Sequence, residues 1–196
     1  VVDIYERKEP LPLDEVRDRN KLLKIALKRN PDYVFSIDGD EILAPNSKEI
    51  LSEELNVFYP DSKIFEFQFL YFWDKLNKIR YDGIYGKTWQ SRLLKIDNDS
   101  PKLRIKESNY SGNLHCGSIP ISPKLSEKLI RSNVKIFHYG NFDDNIRQQK
   151  FKFYNNHDPD SSEQDGYLHM ISEKGKHSGS SGIELITLPN FMCKKL

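Results

Sequence analysis

Asp38-Gly39-Asp40-Glu41 sets three carboxylates within four positions. The run before it, Tyr33-Val34-Phe35-Ser36-Ile37, is mostly apolar and reads as a strand buried on both faces. Open α/β sheets bind ligands outside the carboxyl ends of their strands, so Asp38 and Asp40 would leave the strand at such an edge. Gly39 lets the backbone turn and come close to a ligand. Carboxylate oxygens are hard ligands that suit Mn²⁺ or Mg²⁺, ions that often complete their shells with substrate phosphates. Asp38 and Asp40 are therefore candidate metal ligands. The competing reading is a solvated acidic turn that caps the next helix, and the buried strand ahead of it weighs against that.

His138 closes the run Val134–Phe137. A neutral imidazole there can ligate the same ion, or it can be a structural hydrogen-bonding group. Tyr139-Gly140 then opens a helix, and helix N-termini favour anions. Arg147 and Lys150, inside that helix, could face a diphosphate or form an ordinary solvated basic face. His115, in Asn113-Leu114-His115-Cys116-Gly117, could be a base, a ligand or an acceptor contact. Its Cys116 neighbour is a weak zinc signal, since zinc takes about four ligands and no Cys-x-x-Cys occurs. No serine nucleophile elbow, Walker loop or dinucleotide fingerprint is present.

These residues need elements to hold them. Asp14 can cap a helix carrying Val16, Leu23 and Leu27 on one face, ended by Pro31. Asn46 with Glu49 suggests a capping box for a helix running to about Leu55. Ile64 to Phe72 is the strongest strand signal, with Phe65, Phe67, Phe69 and Tyr71 on one face and Glu66 and Gln68 on the other. Asp74 to Lys87 reads as a long loop or hairpin, Trp89 to Ile96 as a strand, and Asp97 to Pro101 as a turn. Lys102 to Ile105 suggests a short strand. Val134 to His138 is a further one, followed by a helix from Asp143 to Asn155 capped by Asn141 or Asp143. Glu173 to Gly182 is a flexible loop by composition. The order predicts an α/β fold with a mixed sheet flanked by helices.

Composition bounds the function. The 196 residues can bury a real core. Thirty Lys+Arg against 29 Asp+Glu leave a formal charge of +1, without the basic surplus that bulk nucleic-acid binding needs. No stretch approaches 18 apolar residues, so no transmembrane helix is expected. Two cysteines, Cys116 and Cys193, form no disulfide framework, and a reducing, cytoplasmic compartment is the default. The chain begins with Val1 in what reads as mid-domain sequence, so upstream residues are expected to precede it.

Arg17-x-x-Asn20, followed by Asn30-Pro31-Asp32-Tyr33-Val34-Phe35-Ser36-Ile37-Asp38-Gly39-Asp40-Glu41-Ile42-Leu43, resembles family 2 glycosyltransferases of the GT-A fold. Trp73-Asp74, Tyr81-Asp82-Gly83 and Trp89 to Leu94 resemble the aromatic loop and next strand of a bacterial and phage-like subgroup. Leu114 to Pro120, and Ile136 to Gly140 followed by Arg147, Lys150, Tyr154, Asp158 and Pro159, resemble its C-terminal half. The likeness covers roughly residues 14 to 160.

The resemblance implies inverting transfer of a sugar from a nucleotide-sugar donor to a glycan or lipid-linked acceptor. A divalent ion would bridge the diphosphate to Asp40 and Asp38, with His138 as third ligand. Arg17, Asn20, Asp38, Arg147 and Lys150 become candidate donor-binding residues. The base is open among Asp74, Asp82, Glu107 and His115, with His115 and Asp74 favoured; some relatives carry Glu where this chain has Cys116. The family's first strands are missing, leaving an N-terminally truncated nucleotide-binding half whose end survives in Val1 to Glu9. Residues 1–160 would form this partial domain and 161–196 a C-terminal extension. The expected place is the cytoplasm, with peripheral contact at the inner face of the membrane. A metal-dependent phosphohydrolase is one alternative. Another is a non-catalytic carbohydrate-binding module stacking sugars on Phe72, Trp73 and Trp89.

Overall fold

A computed structural model describes residues 5–6, 14–97, 103–106, 116–120, 128–162, 165–171 and 183–188. In chain order it contains α1 (Glu15–Leu27), β1 (Tyr33–Phe35), β2 (Glu41–Leu43), α2 (Ser47–Glu53), β3 (Ile64–Trp73), β4 (Lys75–Arg80), β5 (Trp89–Lys95), β6 (Leu129–His138), α3 (Asp144–His157) and β7 (Leu185–Thr187). The chain is mixed α/β, as its sequence predicts.

β3 organises the sheet. β6 runs parallel along one of its edges, and β2 is antiparallel to β6 beyond it. The other edge is divided. β5 pairs with Ile64 to Gln68 and β4 with Tyr71 to Trp73, both antiparallel. β1 lies outside β5 and β7 outside β4.

The alternation in β3 explains its central place. Phe65, Phe67 and Phe69 are almost fully buried with Leu93, Val134 and Ile136, packed against Ile50 and Leu51 of α2. Leu70 and Phe72 face the other way, against Phe137, Ile79 and Leu188. Each such side chain contributes roughly 1.5–3 kcal/mol when fully buried. Glu66 and Gln68 share that second face and are only half-buried.

α1 is capped as expected, with Asp14 accepting from the Arg17 amide at 2.8 Å. α3 is capped by Asp143, which accepts from the amides of Asn145 and Ile146. Other expectations need correction. β1 is half-buried throughout rather than buried on both faces, because it is an outermost strand paired with β5 alone. Asn46 sits in the left-handed region (φ 66°) and its side chain makes no cap hydrogen bond to α2. Instead the Ser47 hydroxyl turns back onto the Ala44 carbonyl. α2 continues into a π-helical turn over Glu54–Phe58. There Glu54, 2% exposed, accepts from the Asn133 amide at 2.8 Å and ties the turn to β6.

Asp74 to Lys87 contains β4, the second strand of a hairpin. Leu103–Lys106 is not a strand; Asn20 of α1 holds it through both the N–H and the carbonyl of Ile105. β6 begins at Leu129, well before Val134, because its first half also pairs with β3. Beyond residue 160, a 3-10 turn over Asp165–Met170 packs on α3 and β7 joins the same sheet. The expected flexible loop Glu173–Gly182, most of the Asp97–Pro101 turn, Glu107, His115 and Cys193 lie outside the described residues. No described helix is long and apolar enough to cross a membrane.

Candidate functional site

Strand register assembles the site. Glu41 on β2 is the partner of His138 on β6, and His138 is the partner of Tyr71 on β3. The three therefore lie in a row at one end of the sheet. Asp40 immediately precedes β2, and its carbonyl accepts from the Tyr139 amide at 2.8 Å, which fixes it beside His138. One ligand atom each from Asp40, Glu41 and His138 can be chosen so that all lie within 4.8 Å of one another.

Lys150 of α3 donates to Asp40 Oδ2 at 2.9 Å, and His138 Nε2 lies 3.7 Å from the same oxygen. Gly140 makes this convergence sterically feasible. A Cβ there would fall 2.1 Å from Asp40 Oδ2, 2.2 Å from Lys150 Nζ and 2.6 Å from His138 Cε1.

Asp38 is set apart from this group. Arg19 of α1 reaches it at 3.1 Å and Arg92 of β5 at 3.2 Å. Arg92 also donates to Glu41 Oε1 at 2.6 Å, and the Asp38 amide donates to Glu41 Oε2 at 3.0 Å. A bulge aims Arg92 inward: Leu93 faces Phe65 and Ser91 faces Glu66, leaving Arg92 as an extra residue between them. It is 3% exposed, and its guanidinium lies over the Phe69 ring.

The charge states follow from these surroundings. Burial pushes His138 down to about 4, assisted by Lys150 and Arg92, so its imidazole is neutral at pH 7 and able to ligate a metal. Burial alone would raise Asp40, but His138 and the Lys150 hydrogen bond outweigh it and hold the carboxyl below its usual range. With His138 neutral at pH 7, the Lys150 ammonium supplies that stabilisation. Glu41 is raised, chiefly by burial.

Two oxygen ligands and one imidazole suit a hard or borderline divalent ion such as Mn²⁺ or Mg²⁺. Two features support that fit. His138 Nε2 lies 3.7 Å from Asp40 Oδ2, close enough for one ion to bridge them, and an ammonium already serves as the cation at Asp40.

A cavity of about 460 Å³ opens over this row, lined by Arg19, Asp38, Glu41, Gln90, Arg92 and Tyr154 among others. A second, of about 330 Å³, shares Tyr71, His138 and Tyr154 with it.

Of the residues singled out from sequence, Asp40, His138 and Lys150 are brought together, with Asp38 one arginine away. Five others have separate partners and line neither cavity. Arg17 pairs with Asp18 at 3.1 Å, and Asn20 clasps Ile105. Arg147, 5% exposed, binds Asp74 at 2.8 Å and the Asn141 carbonyl at 2.9 Å, stacked over Trp73. Asp74 occupies the turn between β3 and β4 in the left-handed region (φ 61°). Asp82 is buried on Arg80.

Sequence reasoning did not single out Arg19, Arg92 or the ligand role of Glu41. Arg92 had a usable signal: a cation flanking Leu93-Leu94 in a strand needs a buried partner. Arg19 had none that separated it from Arg17. No protein-family model matches this chain, and no curated protein matches it.

Proposed function

We propose that the protein is a metal-dependent, GT-A-like glycosyltransferase that moves a sugar from a nucleoside-diphosphate donor to an acceptor hydroxyl. The carrying observation is the Asp40–Glu41–His138 cluster at the strand ends, beside a cavity of small-molecule size. Asp40, Glu41 and His138 would hold the ion, which supplies positive charge to the departing diphosphate.

Charge balance favours metal dependence. Three carboxylates, Glu15, Asp38 and Glu41, line the first cavity against two guanidiniums, Arg19 and Arg92. A diphosphate entering that surplus of negative charge needs an added cation. Arg19 and Arg92 then have a second use, because a guanidinium shared with Asp38 can also face a phosphate oxygen. In the reaction, the acceptor oxygen bonds to the anomeric carbon as the bond to the diphosphate breaks. The electron pair leaves with the diphosphate and the acceptor proton passes to a base. Asp74 and Asp82 are engaged by Arg147 and Arg80, so the choice of base stays open between His115 and Glu107.

Calorimetric titration with UDP, GDP and CDP tests the reading. Binding is expected with Mn²⁺ and absent in EDTA, and Asp40→Ala should weaken it by more than about 100-fold. Nucleotides that bind equally well in EDTA would sink the metal role. Phosphate release from p-nitrophenyl phosphate without acceptor would favour a hydrolase. Glycan binding that ignores both chelator and nucleotide would favour a non-catalytic module.

A further inference from the structure

We propose that the second cavity is the acceptor site and that it takes the neutral ring of a sugar. This rests on the glycosyltransferase reading for the word acceptor, but the cavity's chemistry stands on its own.

The cavity differs in kind from its neighbour. Tyr71, Tyr85, Tyr154 and Tyr167 line it with Ile84, and Asn141 adds a polar edge. No carboxylate is among its described lining residues, and the charge of Lys150, which reaches it, is offset by Asp40. Aromatic walls with a few polar groups suit a ligand with apolar faces and a hydrogen-bonding rim. A pyranose has C–H faces and a rim of hydroxyls. With that ammonium paired and no carboxylate among the described lining residues, a charged ligand of either sign would find no free counter-charge on this wall.

The walls are built rather than incidental. Tyr85 is 2% exposed and lies over the Arg80 guanidinium at 4.3 Å. Arg80 in turn donates to the His169 carbonyl at 2.7 Å, fixing the 3-10 turn that carries Tyr167. Tyr167 is buried in the left-handed region (φ 58°), a conformation that bulky residues avoid. Its hydroxyl donates to Asp158 and its ring stacks on Tyr154 at 4.9 Å. A strained aromatic held from two sides on a cavity wall is the kind of outlier that marks a binding site.

Position completes the argument. Because both cavities are walled by Tyr71, His138 and Tyr154, a ligand in each would meet across His138 beside the Asp40 cluster.

The test uses the whole chain with Mn²⁺ and UDP. Methyl glucopyranoside, methyl galactopyranoside and methyl N-acetylglucosaminide are titrated by saturation-transfer NMR, beside methyl glucuronide. Ile84 is 48% exposed and Phe153, which lines only the first cavity, is 43% exposed, so changes at either should leave folding intact. At least one neutral glycoside should bind. Ile84→Trp should weaken it by about tenfold or more and leave Mn²⁺–UDP binding unchanged; Phe153→Asp should do the reverse. UDP binding without any glycoside binding overturns this inference alone. Glycoside binding that Ile84→Trp does not touch also overturns it, and stronger binding of the glucuronide overturns the preference for a neutral ring. Glycoside binding that responds to Ile84→Trp, in a protein that ignores UDP, leaves this site standing and removes the glycosyltransferase reading.

Discussion

Two clusters of charge among the described residues are built differently. Arg80 is fully buried, and its three nitrogens are all spent: two on the Asp82 carboxylate at 2.8 Å and one on the His169 carbonyl at 2.7 Å. Trp73 and Tyr85 cover its faces. The cluster around Asp40 has the opposite character. Asp40 remains about one-third exposed, and both His138 Nδ1 and Arg92 Nε are buried without a hydrogen bond. Buried charge alone therefore does not mark a functional site, since a closed pair serves the fold. What marks the second cluster is two carboxylates and an imidazole converging beside a cavity.

This contrast can be broken by mutation. The largest effect should follow Arg80→Ala, which strands Asp82 at 3% exposure. Losing one partner of a buried pair costs about 3–5 kcal/mol, readable as a lower urea midpoint. If the variant matches the parent in stability, the closed cluster has been misread. Next comes Gly140→Ala. The new methyl must displace Asp40, Lys150 or His138, so Mn²⁺ affinity should drop roughly 10–100-fold, while the urea midpoint moves far less than for Arg80→Ala. Unchanged Mn²⁺ affinity would place the metal elsewhere.

A pH series sharpens the comparison further. The folded chain holds His138 near 4, whereas an unfolded histidine titrates near 6.5. The stability linked to neutral His138 is thus complete above pH 6.5. It drains as pH falls towards about 4, because the unfolded chain takes up a proton the folded one refuses. In EDTA, the urea midpoint should decline across that window, and His138→Gln should flatten the decline. Glu41, whose pKa is raised, acts in the opposite sense, because the folded chain takes up its proton before the unfolded one does. The smallest effect should come from Lys150→Met. Removing a partly exposed ammonium that competes for Asp40 should tighten Mn²⁺ binding about threefold; weaker binding would mean that Lys150 supports the ion.

Much of the fold was legible because periodicity and capping are local. β3 declared itself through alternating phenylalanines, and α1 and α3 through Asp14 and Asp143. The mistakes came where tertiary context decides. Burial of β1 depends on its place at the outside of the sheet, and the Asn46–Glu49 spacing could not reveal a left-handed Asn46. The site was half legible. Asp40 and His138 end or precede strands, so their edge position could be read. Glu41 joins them only through register with β6, and Arg92 only through a bulge. Arg147 illustrates the reverse error: its helix was read correctly, but its charge is consumed by Asp74 and nearby carbonyls.

The bulge at Arg92 also says which kinds of genetic change this protein should tolerate least. A strand alternates sides with every residue, so the surplus position in β5 acts as a phase shifter between its two halves. Deleting one codon there would restore a regular ladder at the cost of trading inside for outside along one half of the strand. Chain length across this stretch, more than the identity of any one side chain in it, should therefore be what drift between related sequences preserves.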